Sequence, residues 1–181
     1  MLALPGGQAI SDFRAQKLLQ QLQLLDVNIS AVASQYVHFA DTNATLTVGQ
    51  EQALKQLLDY SPPLSSPPPG ELFLVVPRIG TISPWSSKAT DIAHNAGVSE
   101  VKNLERGIAY YVQAAGQLDR TAVAAVLHDR MTESVLADVS QAAALFKQLK
   151  AKRYLQVDLT KGGRAALEGI NKLLGLALAD D

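Results

Sequence analysis

An α+β fold is predicted for this chain, and three observations carry the prediction. Extended segments rich in β-branched and aromatic residues alternate with segments whose apolar residues recur every three or four positions. Turn residues punctuate most of these changes of period. A proline-rich stretch, SPPLSSPPPG at 61–70, divides the alternation into two parts of similar order, about 1–60 and 71–139. Two such strand-and-helix units read as antiparallel sheets covered on one face by helices.

Taken in order, MLAL reads as a short strand ended by Pro5, Gly6 and Gly7. Residues 11–25 read as a helix, with Ser11 as N-cap and Phe13, Leu18, Leu22 and Leu25 approximating one face. AVASQYVHFAD places Val32, Tyr36 and Val37 in an extended segment that Asp41, Thr42 and Asn43 stop. Thr47 caps the next helix, in which Ala53, Leu54, Leu57 and Leu58 recur at helical spacing. Five of the ten residues in 61–70 are proline, which removes backbone donors and favours extended polyproline geometry, so this stretch is a connector.

After the connector, FLVVPR is apolar enough for a buried central strand, SPWSSKATDIAHNAG is a helix and VKNLERGIAYYVQ another strand. A helix from Asp119 to Arg130, carrying Val123, Val126 and Leu127, and a short strand SVLAD close this part. From Ser140 the pattern changes. SQAAALFKQLKAKR reads as a helix with a basic tail and YLQVDL as a short extended piece. The remainder keeps a helical apolar pattern (Ala166, Ile170, Leu173, Leu174, Ala177, Leu178) almost to the last residue, with no capping glycine after it. The expectation is a domain over 1–140 and a linker region, 141–181, belonging to a longer chain.

Composition narrows the function classes. The 181 residues are 48% hydrophobic and 18% charged, and 16 basic against 17 acidic side chains leave a net charge of -1. No global charge favours nucleic acid or a membrane surface. No apolar run approaches the roughly 20 residues of a membrane span, and the N-terminus lacks a basic region followed by an apolar stretch, so a cytoplasmic protein is expected. Zero cysteines exclude disulfides, thiolate nucleophiles and Cys-based metal sites.

Few residues carry chemistry. His38, His94 and His128 fall in separate elements without metal-ligand spacing and read as surface or internally satisfied histidines. The glycine pairs at Gly6 and Gly162 lack the further residues of a phosphate cradle, although TKGGRAAL places Arg164 and backbone donors at a helix start, where an anion would fit. Ser86 and Ser87 have no partner histidine, and Glu133, Asp138, Asp180 and Asp181 read as solvated charge. No self-sufficient catalytic site, cofactor site or metal site is expected.

The densest local signal is RIGTISPWSSKATDIAHN. Ser83 is a suitable N-cap, Pro84 fits the first helical position, Gly97 suits the C-terminal cap, and Trp85, Ala89, Ile92, Ala93 and Ala96 form an apolar stripe. The opposite face carries Ser87, Lys88, Asp91, His94 and Asn95, short polar groups of low helix propensity mixed with charge. Two readings stand side by side: an ordinary solvated face, or a face that makes fixed hydrogen bonds to a partner or ligand.

The string VVPRIGTISPWSSKATDIAHNAGVSEVKNLERGIAYYV resembles the N-terminal region of the large, single-chain bacterial formylglycinamidine ribonucleotide synthetases, glutamine amidotransferases of purine synthesis. YVHFAD, LHDRMTESV and LGLALADD resemble the same enzymes in the same order. The resemblance implies a fused pair of small S-subunit-like units over 1–140, then the start of a helical linker domain. It implies that ATP and Mg2+ bind in a synthetase region and glutamine at a cysteine-dependent glutaminase, with no cofactor in this chain. Packing on those two regions would be its role, with Arg78, Ser86, Ser87, Lys88, Thr90, Asp91 and Asn95 as contact candidates, Arg106 on the following strand as an outlying one, and no proton-transfer role for any. An internal pair of units implies a monomer. The alternative is an independent small-molecule-binding or regulatory protein of the same fold, holding an anion or nucleotide near Lys88 or Arg164.

Overall fold

Five strands, β1 (Leu2–Gln8), β2 (Ile29–Thr42), β3 (Glu71–Pro77), β4 (Val101–Ala114) and β5 (Glu133–Leu136), pair antiparallel in the order β1-β2-β4-β3-β5. The computed structural model describes residues 1–62, 64, 66, 68–147 and 154–179. The expected α+β class holds, with one sheet in place of separate sheets. The reason is the long β2–β4 ladder, running from Ile29↔Ala114 to Thr42↔Val101, which joins the strands on either side of the proline-rich connector. The chain forms two compact units, Met1–Gln148 and Leu149–Asp181.

In the first unit, four helices lie over one face of the sheet: α1 (Asp12–Gln23), α2 (Val48–Leu57), α3 (Pro84–Asn95) and α4 (Arg120–Leu127). Strand alternation sends Val32, Tyr36, His38 and Ala40 of β2, and Leu104, Arg106, Ile108, Tyr110 and Val112 of β4, to that face. At one end Leu22 of α1 and Val123 and Leu127 of α4 pack with Phe73, Tyr110 and Val112. At the other, Leu54 of α2 and Ala93 of α3 pack with Ala40, Val98 and Leu104. Val37, Phe39, Leu74 and Val76 face the opposite way, where a 3-10 helix, Val139–Phe146, covers them through Ala142 and Leu145. Each fully buried leucine or phenylalanine contributes on the order of 2 kcal/mol by leaving water.

Several sequence expectations shift at their edges. β1 runs through Pro5, Gly6 and Gly7 instead of stopping there, with an irregular register between Pro5 and Gln8. An outer strand tolerates proline. Gly7 is required where the connector crosses: Gln8 N–H donates to the Pro62 carbonyl at 2.8 Å, and a Cβ on Gly7 would lie 2.1 Å from that oxygen. In α1 the buried side is Leu18, Leu19 and Leu22, while Phe13 and Leu25 are exposed; Leu25 lies past the last helical residue and leaves the period. α4 ends at Leu127. The segment after Asp138 is a 3-10 helix packed on the sheet, which carries the first unit past 140; residues 148–153 of the expected helix lie outside the described residues.

α3 departs most from its apolar stripe. Its inward residues are Ser86, Thr90 and Ala93, whereas Ile92 is 54% exposed and Ala96 is exposed. β3 pairs with β4 only from Glu71↔Val112 to Val75↔Ile108, so the N-terminal half of β4 has no strand on that side. α3 takes the missing place with polar atoms. Thr90 Oγ1 accepts from Leu104 N–H at 2.9 Å, and His94 Nε2–H donates to the Val101 carbonyl. Ser83, the N-cap, sends its N–H and hydroxyl to the two oxygens of buried Glu105, at 3.0 and 2.7 Å, while its Oγ accepts from Ser86 N–H at 3.0 Å. Gly97, at φ 83°, closes the helix: its N–H reaches the His94 carbonyl and the N–H of Val98 reaches that of Ala93.

The second unit holds α5 (Leu159–Leu174), capped at its start by Asp158, kinked at Gly163 and ended by Gly175 in the left-handed region. That glycine ends the helix before Leu178, and the expected extended piece forms no strand over 154–158.

Replacing Thr90 with valine keeps its volume and leaves the buried Leu104 N–H without an acceptor. The expected loss is about 1–3 kcal/mol in urea unfolding, with Thr90→Ser closer to wild type. An unchanged midpoint for Thr90→Val would show that α3 does not depend on this bond.

Candidate functional site

Between the two helix pairs, the helix-covered face carries Tyr36 and His38 on β2 and Arg106 on β4, with His38 directly opposite Arg106 in the ladder. Two more rings converge there. Trp85 enters from the first turn of α3, placed by the Ser83 cap, and Tyr60 from the end of α2's exit, just before the connector. The Arg106 guanidinium carbon lies 4.7 Å from the Tyr36 ring centre, 5.0 Å from Trp85 and 5.9 Å from Tyr60. Such contacts contribute roughly 0.5–2 kcal/mol each, more as water is excluded.

A hydrogen-bonded chain links the charged and neutral members. Arg106 Nη1 donates to Tyr60 Oη at 3.0 Å, and Tyr60 Oη lies 2.8 Å from His38 Nε2. His38 is 1% exposed. Burial first, then the Arg106 charge, lowers its pKa from 6.5 to about 4, so the imidazole is neutral at neutral pH. The direction of donation is then consistent: guanidinium to phenol oxygen, phenol hydrogen to Nε2. The other edge of the ring packs on Gly6, where a Cβ would come within 2.9 Å of Cε1, and the Leu4 backbone beside the ring opposes part of the lowering.

Trp85 separates two depressions. On one side, a groove of about 300 Å³ between α2 and α3 is walled by Leu54, Leu57, Trp85 and Ile92, with Lys88 at its rim. On the other, a cavity of about 270 Å³ is bounded by Arg106, Ser83, Thr132 and Glu133. Glu133 also acts on Tyr110, whose phenol pKa is raised first by burial and then by that charge. Among the described residues there is no cluster of three metal-ligating side chains. Ring faces, one guanidinium and a neutral imidazole hold and orient; they supply no nucleophile activated by a base.

The residues singled out in the sequence separate into groups. Ser87, Lys88, Asp91 and Asn95 stand exposed on α3, and Arg78 is exposed at the head of the loop before it, its N–H bonded to the Thr132 carbonyl at 2.9 Å. Ser86 and Thr90 turn inward, 1% and 8% exposed, because α3 uses that side to complete the edge of β4. Arg106 is half-buried among the rings. Arg164 Nε donates to Glu168 at 2.8 Å and Asp158 caps the start of α5, so that helix start already carries carboxylates of its own. Tyr36, His38 and Tyr60 were not singled out as a group. The available signal was polar and aromatic residues at alternate positions of strands otherwise filled with apolar ones.

The sequence profile of the formylglycinamide ribonucleotide amidotransferase N-terminal family matches residues 35–146, more than half of the 181 residues and a span that contains Tyr36, His38, Tyr60, Trp85 and Arg106. The chain belongs to that family. The match reaches Phe146, the last residue of the 3-10 helix, so this amidotransferase N-terminal domain includes that helix as well as the sheet. Membership connects the chain with phosphoribosylformylglycinamidine synthase and purine biosynthesis. Among its described residues no helix is long and apolar enough to cross a membrane.

His38 predicts a pH dependence for the amidotransferase domain. The unfolded chain takes up the proton near 6.5 and the folded chain only near 4, so this contribution is fully present above pH 6.5 and is lost as pH falls toward 4. The loss is about 3 kcal/mol. Urea unfolding at pH 7.5 and 4.5 should show it as a steeper decline for wild type than for His38→Gln. Parallel declines would place the proton elsewhere.

Proposed function

We propose that the chain is the docking domain of a glutamine-dependent phosphoribosylformylglycinamidine synthase, which converts formylglycinamide ribonucleotide, glutamine and ATP to formylglycinamidine ribonucleotide, glutamate, ADP and phosphate. It packs on the synthetase and glutaminase regions and helps seal the ammonia path from water. ATP and Mg2+ belong to the synthetase region. The chain alone turns nothing over, is monomeric and cytoplasmic, and takes neither nucleic acid nor membrane as partner.

The observation that carries this reading, besides family membership, is the construction of α3. Its inner side is fixed to β4 through Ser83, Thr90 and His94, which leaves the outer stripe Ser87, Asp91 and Asn95 as a rigid exposed platform. Ile82 at the approach loop is 70% exposed, an apolar neighbour of a kind that contact surfaces use. The strand order supports a fused pair of S-subunit-like units: each part of the chain supplies strand, helix, strand, helix, and the parts meet at β2 and β4.

In the full enzyme, bulky replacements such as Ser87→Trp and Asp91→Trp should lower the glutamine-driven rate while the domain stays folded by thermal unfolding. Unchanged glutamine-driven and ammonia-driven rates would sink the docking role. The groove at Lys88 supports a second reading, a small-molecule-binding protein of the same fold. Calorimetric titration of the 181-residue chain with ATP should show no binding, and a saturable micromolar signal would favour that second reading.

A further inference from the structure

We infer that the two depressions flanking Trp85 receive one acidic, apolar-anchored segment of the enzyme's own synthetase or glutaminase region: an apolar side chain enters the α2–α3 groove, and a carboxylate meets Arg106. This rests on the docking reading and moves its centre from the outer stripe of α3 to the Trp85 seam.

The charge pattern chooses the occupant. A guanidinium has five N–H donors in a planar fork; Arg106 gives one to Tyr60, and the rings hold the fork in place. Among the described residues no carboxylate stands within ion-pair distance of Arg106 or of Lys88 at the groove rim. The acids nearby are engaged: Glu105 is buried on Ser83, and Glu133, across the Arg106 cavity, accepts Asp129 N–H at 2.9 Å. An incoming chain therefore meets Lys88 at the rim of an apolar groove and, beyond Trp85, the unpaired fork of Arg106, with the Glu133 carboxylate on the far wall of that cavity. A single guanidinium suits a carboxylate fork, whereas a polyphosphate calls for several cations or backbone donors.

Shape and composition point the same way. Leu57, Tyr60 and Ile92 are exposed along the groove, and a tryptophan, tyrosines and an arginine clustered round a pocket form the residue set that dominates interface energetics. Because Trp85 and Arg106 are already held, ordering them on binding costs little entropy.

A photo-crosslinking residue at Ile92 of the intact enzyme tests this. The expected product joins Ile92 to a synthetase or glutaminase peptide with an aspartate or glutamate beside an apolar residue, and its yield falls about tenfold or more in Arg106→Gln. Arg106→Lys, which keeps charge and loses the fork, should fall in between, and both variants of the 181-residue chain should keep wild-type Trp85 emission and melting. If Arg106→Gln does not fold, the Lys variant carries the comparison. A crosslink to a second copy, to a peptide without carboxylates, or with undiminished yield in the Arg106 variants overturns the inference. So does the absence of a crosslink. If the Ser87 and Asp91 replacements still uncouple glutamine, the docking reading survives that failure; if they do not, both fall.

Discussion

The β2–β4 ladder is the constraint on which the rest of the first unit depends. Both strands run for fourteen residues, while β3 follows β4 only from Glu71 to Val75. Backbone donors and acceptors left buried without partners cost free energy, so the unpaired half of β4 dictates what lies beside it. α3 answers with a hydroxyl at Thr90 and an imidazole at His94, aimed at main-chain atoms a strand would have met. The low-propensity polar residues of that helix are thus partly explained by the sheet.

Three consecutive residues of β4 show how closely this position is specified. Glu105 points to one side and fixes the start of α3 through Ser83. Arg106 points to the other and is held by Tyr36, Tyr60 and Trp85. Gly107, between them and the β3 crossing, lies where a Cβ would be 2.9 Å from the Val75 carbonyl, so no larger residue fits without moving β3. No carboxylate pairs with this arginine among the described residues; aromatic faces and a phenol oxygen compensate part of its lost hydration. Its field in turn helps keep His38 neutral.

What the sequence revealed was mostly local. Caps at Thr47 and Ser83, proline at the first position of α3 and the glycine after it depend on residues within a few positions of each other. The long apolar strands were legible for the same reason, and the similarity of RIGTISPWSSKATDIAHN and its surroundings to known amidotransferases reached the family. What stayed hidden depends on register. Nothing near residue 38 announces that it faces residue 106, or that Tyr60 will close over both. The apolar stripe of α3 holds at Trp85, Ala89 and Ala93 and fails at Ile92 and Ala96, because β4 groups such as the Leu104 N–H draw Thr90 to the inner side. Leu25 misled because α1 ends two residues earlier than its apolar spacing suggests, and Phe13, inside the helix, lies off the side that Leu18, Leu19 and Leu22 bury.

The outermost strands bear on how this protein meets others. Pro5 in β1 has no N–H to offer, its register breaks before Gln8, and the Gln8 N–H is already taken by the connector at Pro62. At the far side β5 is four residues long. Among the described residues neither border offers a long straight run of free backbone groups, a feature that disfavours growth by a foreign strand or by a copy of the sheet. Such borders suit contacts through side chains, whose identity can be selective, better than main-chain pairing, which accepts almost any sequence.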